Sequence, residues 1–225
     1  MYDELKYWYL RDHKLFWTLS MSQIKQLCII TGFKKAKKGD IIYLSSSDVP
    51  RIFLLKKGSI KIVEVDENGN ETIKDIIQKG DLFGELTLES DKNSNEYAKA
   101  LTDEVAICSF LLSDFEDLML KNPNLALSYT KFVGLKMKRL KNNYANLVSK
   151  DAKTRLLTFL KEWAERDGKQ IGNRVIIENY LTQTDIAQII CTSRQTATLL
   201  LNELEENGIM HYGRKEIIIE DITKL

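Results

Sequence analysis

With 225 residues, 44% hydrophobic and 29% charged, the chain is long enough to bury one or two cores and too apolar to be disordered throughout. Its 33 Lys+Arg against 32 Asp+Glu leave a net charge of +1, so no general basic excess announces nucleic acid. Three widely spaced cysteines (Cys28, Cys108, Cys191) and two histidines (His13, His211) argue against zinc, iron–sulfur and disulfide frameworks, fit a reducing compartment, and leave a Ser-His-Asp or Cys-His enzyme few candidates.

The N-terminal stretch MYDELKYWYLRDHKLFWTL is aromatic but charged throughout, without the apolar centre and cleavage site of a signal peptide. No later run reaches the length of a membrane helix, so a cytoplasmic protein with no membrane partner is expected. Leu5, Tyr9, Leu10 and Leu15, Phe16, Leu19 are spaced for short amphipathic helices packed on a body. From about Phe33 to Phe110 the apolar runs are short and β-branched: Ile41–Leu44, Ile52–Leu55, Ile60–Val65, Thr72–Ile77 and Val105–Cys108. Gly, Asn, Asp or Ser clusters bound most of them, which predicts an all-β unit. Asn68-Gly69, between IKIVEV and ETIKDII, predicts a hairpin with a type I′ turn. Lys38-Gly39-Asp40, Lys57-Gly58-Ser59 and Lys79-Gly80-Asp81 recur at intervals of 19 and 22 residues, too irregular for a solenoid and suited to corners of a small barrel.

Helix follows. Ser113-Asp-Phe-Glu116 reads as a capping box, and Asn122-Pro123 as an N-cap with proline at the first helical position. From there to Ser149 no further Pro occurs and the only Gly is Gly134. Val133, Met137, Leu140, Tyr144 and Leu147 form a heptad seam, while Leu125, Phe132 and Leu135 lie on a different face. A helix lying only on its own domain needs one apolar stripe. Two faces fit one packed on the barrel and one on a partner helix, so this segment is read as a dimerisation helix.

The last third begins near Lys153. Leu156, Leu157, Leu160, Trp163 and Ala164 make an amphipathic helix that ends near Asp167-Gly168, and Arg174–Ile177 is a short strand. Thr182 and Asp185 cap a helix whose apolar face is Ile186, Ala187, Ile189 and Ile190. Cys191-Thr192-Ser193 joins it to a second helix from Arg194, the pattern of a helix-turn-helix. Turned at 100° per residue, the second helix gathers Ala197, Leu200, Leu201 and Leu204 on one side. Gln195, Thr198, Leu199 and Asn202 fall on the other, with Arg194 at the N-terminal edge, where Arg and Gln suit bidentate base contacts. Exposed Leu199 suits a thymine methyl. Asn207-Gly208 stops the helix, and Ile209–Tyr212 and Glu216–Ile219 then form a hairpin whose basic tip is Gly213-Arg214-Lys215. From Lys153 onward 10 basic residues face 11 acids, so attraction to DNA has to come from local placement at Arg194 and at Arg214-Lys215.

Gly80-Asp81-Leu-Phe-Gly-Glu85-Leu, the long helix and LTQTDIAQIICTSRQTATLLLNELEENGIM, in that order, resemble the CRP/FNR family of bacterial transcription regulators, from about Phe33 to Ile222. The resemblance implies an α+β chain of two domains: an N-terminal jelly-roll-like β-roll of cyclic-nucleotide-binding type, a long dimerisation helix and a C-terminal winged helix-turn-helix. Residues 1–120, 121–150 and 151–225 are the corresponding boundaries. It further implies a homodimer on palindromic double-stranded promoter DNA, with RNA polymerase as a further partner and no catalysis. Thr182, Ser193, Arg194, Gln195, Thr198, Leu199, Arg214 and Lys215 are the expected DNA contacts. Arg194 matches the family's guanine-reading Arg. Gln195 and Leu199 stand where the cyclic-AMP receptor protein has Glu and Arg, so the binding mode carries over but the base preference does not.

The implied effector pocket maps to Phe83, Gly84, Glu85, Leu86, Asn95, Glu96, Leu140 and Lys141, and it is degenerate. The family places an Arg and a small hydroxyl residue about ten residues past the turn. Here the stretch reads Asn93-Ser-Asn-Glu96-Tyr, and no Arg occurs between Arg51 and Arg139. Lys92 and Lys99 are the available cations, and they lack the planar fork of Arg. Cyclic AMP is therefore not expected as a cofactor. Either the pocket is empty and DNA binding constitutive, or another ligand lies between Phe83–Leu88 and Leu140. A cupin-like enzyme would need clustered His ligands that the chain lacks. A sensor module alone would have no use for the Arg194 helix and wing.

Overall fold

The structure, a computed structural model, describes residues 10–11, 13–30, 32–42, 50–84 and 95–225. It divides into two compact units, Met1–Lys138 and Arg139–Leu225.

The first unit contains helix α1 (Met21–Ile30), strands β1 (Gly32–Ala36), β2 (Ile41–Ile42), β3 (Arg51–Lys57), β4 (Ile60–Val65), β5 (Glu71–Ile77), β6 (Leu82–Gly84), β7 (Glu96–Ala100) and β8 (Val105–Leu111), helix α2 (Leu112–Lys121) and the start of α3 (Pro123–Ser149). The strands make two four-stranded antiparallel sheets, ordered β1-β8-β3-β6 and β2-β7-β4-β5. Phe53, Leu55, Ile60, Ile62, Ile77 and Ile107 fill one core of this β-roll. A second core brings Leu10, Phe16 and Leu27 of the N-terminal segment against Phe110, Phe115 and Leu125. The expected packing of that segment thus holds for Leu10, Leu15, Phe16 and Leu19, all buried, while Leu5 and Tyr9 lie outside the described residues.

The Lys-Gly elements are corners: Gly39, Gly58 and Gly80 have φ of +88°, +79° and +91°. Gly58 is doubly required, because a Cβ there would sit 2.4 Å from Thr102 Oγ1 and 2.5 Å from the Glu104 carbonyl oxygen. The β4–β5 hairpin is real, but its turn is not type I′. Among the described non-glycine residues only Cys191 has positive φ, so Asn68 cannot take its part in such a turn. Instead Gly69 N–H donates to the Asp66 carbonyl and Asp66 N–H to the Asn70 carbonyl, a three-residue loop with Gly69 (φ +80°) in the left-handed position. The Asp66 carboxylate accepts from the backbone N–H groups of Asn68 and Asn70 and from the Asn70 amide, which lowers its pKa.

Two expected caps also differ. Helix α2 starts at Leu112 with Leu111 as N-cap and no side-chain cap bond, so Ser113 and Glu116 form no capping box. Asn122 stands at the N-cap position of α3, its carbonyl accepting from Leu125 and Ala126 N–H, but its side-chain amide turns back to the Leu118 carbonyl (2.8 Å) to close α2, and Gln23 donates to its side-chain oxygen. Pro123 does take the first position of α3.

His13 ties the N-terminal segment to the roll. Leu15 N–H donates to Nδ1 (3.1 Å), which places the ring proton on Nε2, 2.8 Å from the Gly80 carbonyl oxygen. Burial lowers the His13 pKa; Lys56 also lowers it, against the pull of the Gly80 carbonyl and Asp81. The unfolded chain therefore binds this proton more readily, and the stability due to neutral His13 is complete above the ordinary value of about 6.5 and lost as pH falls through the lower folded pKa. Thermal melts from about pH 8 to pH 5 should show a loss in the wild type that His13→Asn reduces. Equal pH profiles would contradict this.

The second unit contains the C-terminal part of α3, α4 (Ala152–Asp167), β9 (Lys169–Ile171), β10 (Arg174–Glu178), α5 (Gln183–Ile189), α6 (Arg194–Glu206), β11 (Met210–Tyr212) and β12 (Glu216–Ile219). Its antiparallel sheet is ordered β11-β12-β10-β9. Helix α4 buries Leu156, Leu160, Trp163 and Ala164 and packs on β10 and α6, with Tyr180 edge-on to Trp163 at 5.1 Å.

Helix α3 runs unbroken for 27 residues. Leu125 is buried and Phe132 packs on the first unit's core, but Leu135 is exposed, so the second apolar face is shorter than expected. The seam residues Val133, Met137, Leu140, Tyr144 and Leu147 are all between 41% and 68% exposed. No helix among the described residues is long and apolar enough to cross a membrane.

Candidate nucleic-acid interface

Side-chain caps set the starts of both α5 and α6. Thr182 accepts from Asp185 N–H through its hydroxyl, and the Asp185 carboxylate accepts from the Thr182 N–H (2.9 Å) and hydroxyl (2.7 Å). This capping box accounts for buried Asp185, and such an N-cap contributes about 1 kcal/mol. Ser193 caps α6 by accepting from Thr196 N–H at 3.0 Å. Between them Cys191 stands at φ +51°, a left-handed conformation costing a non-glycine roughly 1–2 kcal/mol.

Helix α6 buries Ala197, Leu201 and Leu204 and leaves Arg194, Gln195 and Leu199 exposed, Leu199 by 70%. The Thr198 hydroxyl lies 2.9 Å from both Gln183 Oε1 and the Arg194 carbonyl, so it braces α6 against α5. Beyond Gly208 (φ +66°), β11 and β12 pair from Met210↔Ile219 to Tyr212↔Ile217 and carry exposed Arg214 and Lys215 at their tip. Asn179 holds the tip of this wing: its N–H donates to the Lys215 carbonyl and its amide to the Gly213 carbonyl at 2.7 Å. Sequence reasoning missed Asn179, because a lone Asn after a strand carries no distinctive spacing.

Four of the module's acids contact other basic residues. Glu203 takes Lys153, Glu220 takes Arg174, Asp167 takes Arg166 and Glu205 contacts His211. Among the described residues no carboxylate lies within salt-bridge reach of Arg194, Arg214 or Lys215. The near-zero charge of the module therefore conceals uncompensated cations at the start of α6 and at the wing tip.

Comparison with known proteins matches residues 33–122 to the cyclic nucleotide-binding domain family and residues 154–225 to the Crp-like helix-turn-helix domain family. The chain belongs to the CRP/FNR family of bacterial transcription regulators. It is 25% identical over 188 residues to the CRP-like cAMP-activated global transcriptional regulator of Mycobacterium tuberculosis, covering 84% of each chain. The global nitrogen regulator of a Nostoc species is 23% identical over 192 residues, 85% of each chain. Among solved structures, a CooA variant from Carboxydothermus hydrogenoformans superposes with a TM-score of 0.70 at 24% identity, covering 88% of each chain. The two-domain α+β fold of this CRP/FNR regulator is thus the expected one.

The described residues assigned to the CRP/FNR effector pocket lie on β6, β7 and α3 and just before β7. Phe83 belongs to the roll core, stacked on Phe53 with centroids 5.2 Å apart. Gly84 ends β6 at φ +103°, where a Cβ would meet the Arg51 carbonyl oxygen at 2.6 Å. Glu85, Leu86 and Lys92 lie outside the described residues. Asn95 is exposed, as are Leu140 and Lys141 on α3. On β7, Glu96 shares a face with buried Ala98 and Ala100, whereas Lys99 points to the opposite face. Glu64 lies opposite Glu96, and Asp75 opposite Ile62, which itself faces Ala98. Three carboxylates therefore share that face. Lys74 bridges two of them, 2.6 Å from Glu96 and 3.5 Å from Glu64, and these contacts raise its pKa. Lys136 of α3 donates to the Leu82 carbonyl at 2.5 Å.

Proposed function

We propose that this transcription regulator acts as a homodimer through Val133, Met137, Leu140, Tyr144 and Leu147, and that it reads a palindromic promoter site with Arg194, Gln195 and Leu199. Ser193, Thr182 and Thr198 hold the reading helix in place, and Arg214 and Lys215 follow the phosphates. The observation that carries this reading is the placement of exposed cations at the N-terminus of α6 and at the wing tip, with no carboxylate among the described residues within salt-bridge reach. Residues 1–120, 121–150 and 151–225 serve as effector domain, dimer helix and DNA-binding domain in the cytoplasm. No catalytic role is assigned, and RNA polymerase is a further partner by kinship.

The same reading holds that DNA binding does not depend on cyclic AMP. A cyclic phosphate would enter a face carrying Glu64, Asp75 and Glu96 against Lys74 and Lys136, with no arginine between Arg51 and Arg139 to form a charge-assisted fork. Selection from random duplex DNA without added nucleotide should enrich a palindrome, and gel retardation should confirm it. Calorimetry with cyclic AMP and cyclic GMP should give no micromolar binding. Binding that also raises operator affinity would make the protein a nucleotide-dependent sensor. Failure to enrich any sequence would overturn the constitutive reading.

A further inference from the structure

We propose that Arg155 fixes the distance between the two recognition helices and thereby selects the half-site spacing of the operator. The inference rests on the homodimer reading above.

Arg155 lies in the first turn of α4, half-buried, and its guanidinium serves three backbone carbonyls from two separate places in the chain. Nη1–H donates to Lys150 at 2.6 Å, Nε–H to Ile190 at 2.8 Å and Nη2–H to Cys191 at 3.2 Å. Lys150 closes α3, its N–H bonded to the Asn146 carbonyl. Ile190 and Cys191 follow α5 and lead into the turn before α6. One cation thus joins the end of the seam helix to the helix-turn-helix. It does so at carbonyls that helix termini leave without intrahelical donors and that carry partial negative charge. Among the described residues no carboxylate lies within salt-bridge reach of Arg155, so its fork is committed to backbone.

The path from the seam to the DNA runs through the junction at residues 150–151. Leu140, Tyr144 and Leu147 lie on the same unit as Arg155 and α6, so within that unit the junction decides how far α6 stands from the end of the seam. Lys150 Nζ, 3.2 Å from the Thr158 hydroxyl, and the Asp151 carboxylate, accepting from Thr154 N–H at 2.7 Å, are further side-chain ties there, each a single bond to the N-terminal half of α4. Lysine could not replace Arg155, since an ammonium lacks the planar fork that meets three separate carbonyls. Each added base pair rotates the second half-site by about 34°. A dimer held rigid at 150–151 cannot follow that rotation, whereas one released there can.

The test uses the full chain and the selected operator, with spacers one and two base pairs shorter and longer, read by fluorescence anisotropy. The wild type should prefer its best spacer over the neighbouring ones by about tenfold. In Arg155→Met and Arg155→Lys that ratio should shrink to within about threefold while the base preference inside each half-site is retained. Lys153→Ala, which removes only the exposed Lys153–Glu203 pair between α4 and α6, should keep the wild-type ratio. If Arg155→Met fails to fold, Arg155→Lys, which keeps stem and charge, carries the comparison. Equal weakening on every spacer would make Arg155 a structural residue only and overturn the inference. A wild type without spacer preference would overturn the dimer reading as well, which distinguishes the two failures.

Discussion

Replacing Met137 and Leu140 together by glutamate is expected to yield monomers and to abolish operator binding. These residues are 50% and 63% exposed in the single chain, on a helix whose other seam residues are similarly uncovered. An isologous interface presents the same stripe twice, so five side chains per helix become ten in the seam. Completing the burial of each large apolar side chain contributes up to about 1.5–3 kcal/mol, less where it is already partly covered. The double variant removes two such contributions per chain and brings four carboxylates to the two-fold axis. Glutamate is a good helix former, so α3 itself should persist and far-UV circular dichroism should not change. Monomers also lose the effective concentration that links the two half-sites, a loss of about 100-fold or more in affinity. Sedimentation velocity and gel retardation on the same preparation check both effects. An intact dimer in this variant would remove the seam assignment.

What the sequence made legible follows from where local chemistry and tertiary structure agree. The second unit was readable nearly residue by residue because its boundaries are written in side chains that cap: Thr182 with Asp185, Ser193 with Thr196, and Asn207-Gly208 as a stop. The roll was readable in class but not in count. β4 and β5 announce themselves, whereas GFKKA, LFG and EYAKA are too short or too lysine-rich to show alternation, and their pairing with β8, β3 and β4 is long-range. The Asn68-Gly69 turn failed for a local reason. Asp66 offers its carboxylate to three donors, and that network favours a longer loop over the two-residue turn. Asn122 opens α3 only through its backbone carbonyl for a tertiary reason, since the end of α2 and Gln23 both engage its side chain. In the candidate interface, Arg194, Arg214 and Lys215 could be named from sequence, but their lack of carboxylate partners could not. Ion pairing here is set by tertiary structure, as in Lys153–Glu203 and Arg174–Glu220, pairs separated by 50 and 46 residues.

Arg194→Ala and Arg214→Ala are expected to fail in different ways, and the difference assigns their roles. Arg194 sits at the exposed N-terminal edge of α6, beside Gln195, where a recognition helix meets base edges. Its fork can take two acceptors of one guanine, and removing it should cost about 1–3 kcal/mol on the selected operator and relax the preference at one base position per half-site. Arg214 is at the tip of the β11–β12 hairpin, between Gly213 and Lys215, whose carbonyls both accept from Asn179. A cation there meets phosphate, which is the same at every sequence. Arg214→Ala should therefore weaken specific and random DNA by the same factor and lower the slope of log affinity against log salt by about one per protomer. Neither side chain bears on the core of the module: Leu201, Leu204, Ile217 and Ile219 remain buried, so melting temperatures should stay close to wild type. Affinities for operator, single-base variants and random duplex, measured across a salt series, separate the two roles. If Arg194→Ala weakens operator and random DNA equally, Arg194 is a phosphate contact and the reading of bases falls to Gln195 and Leu199.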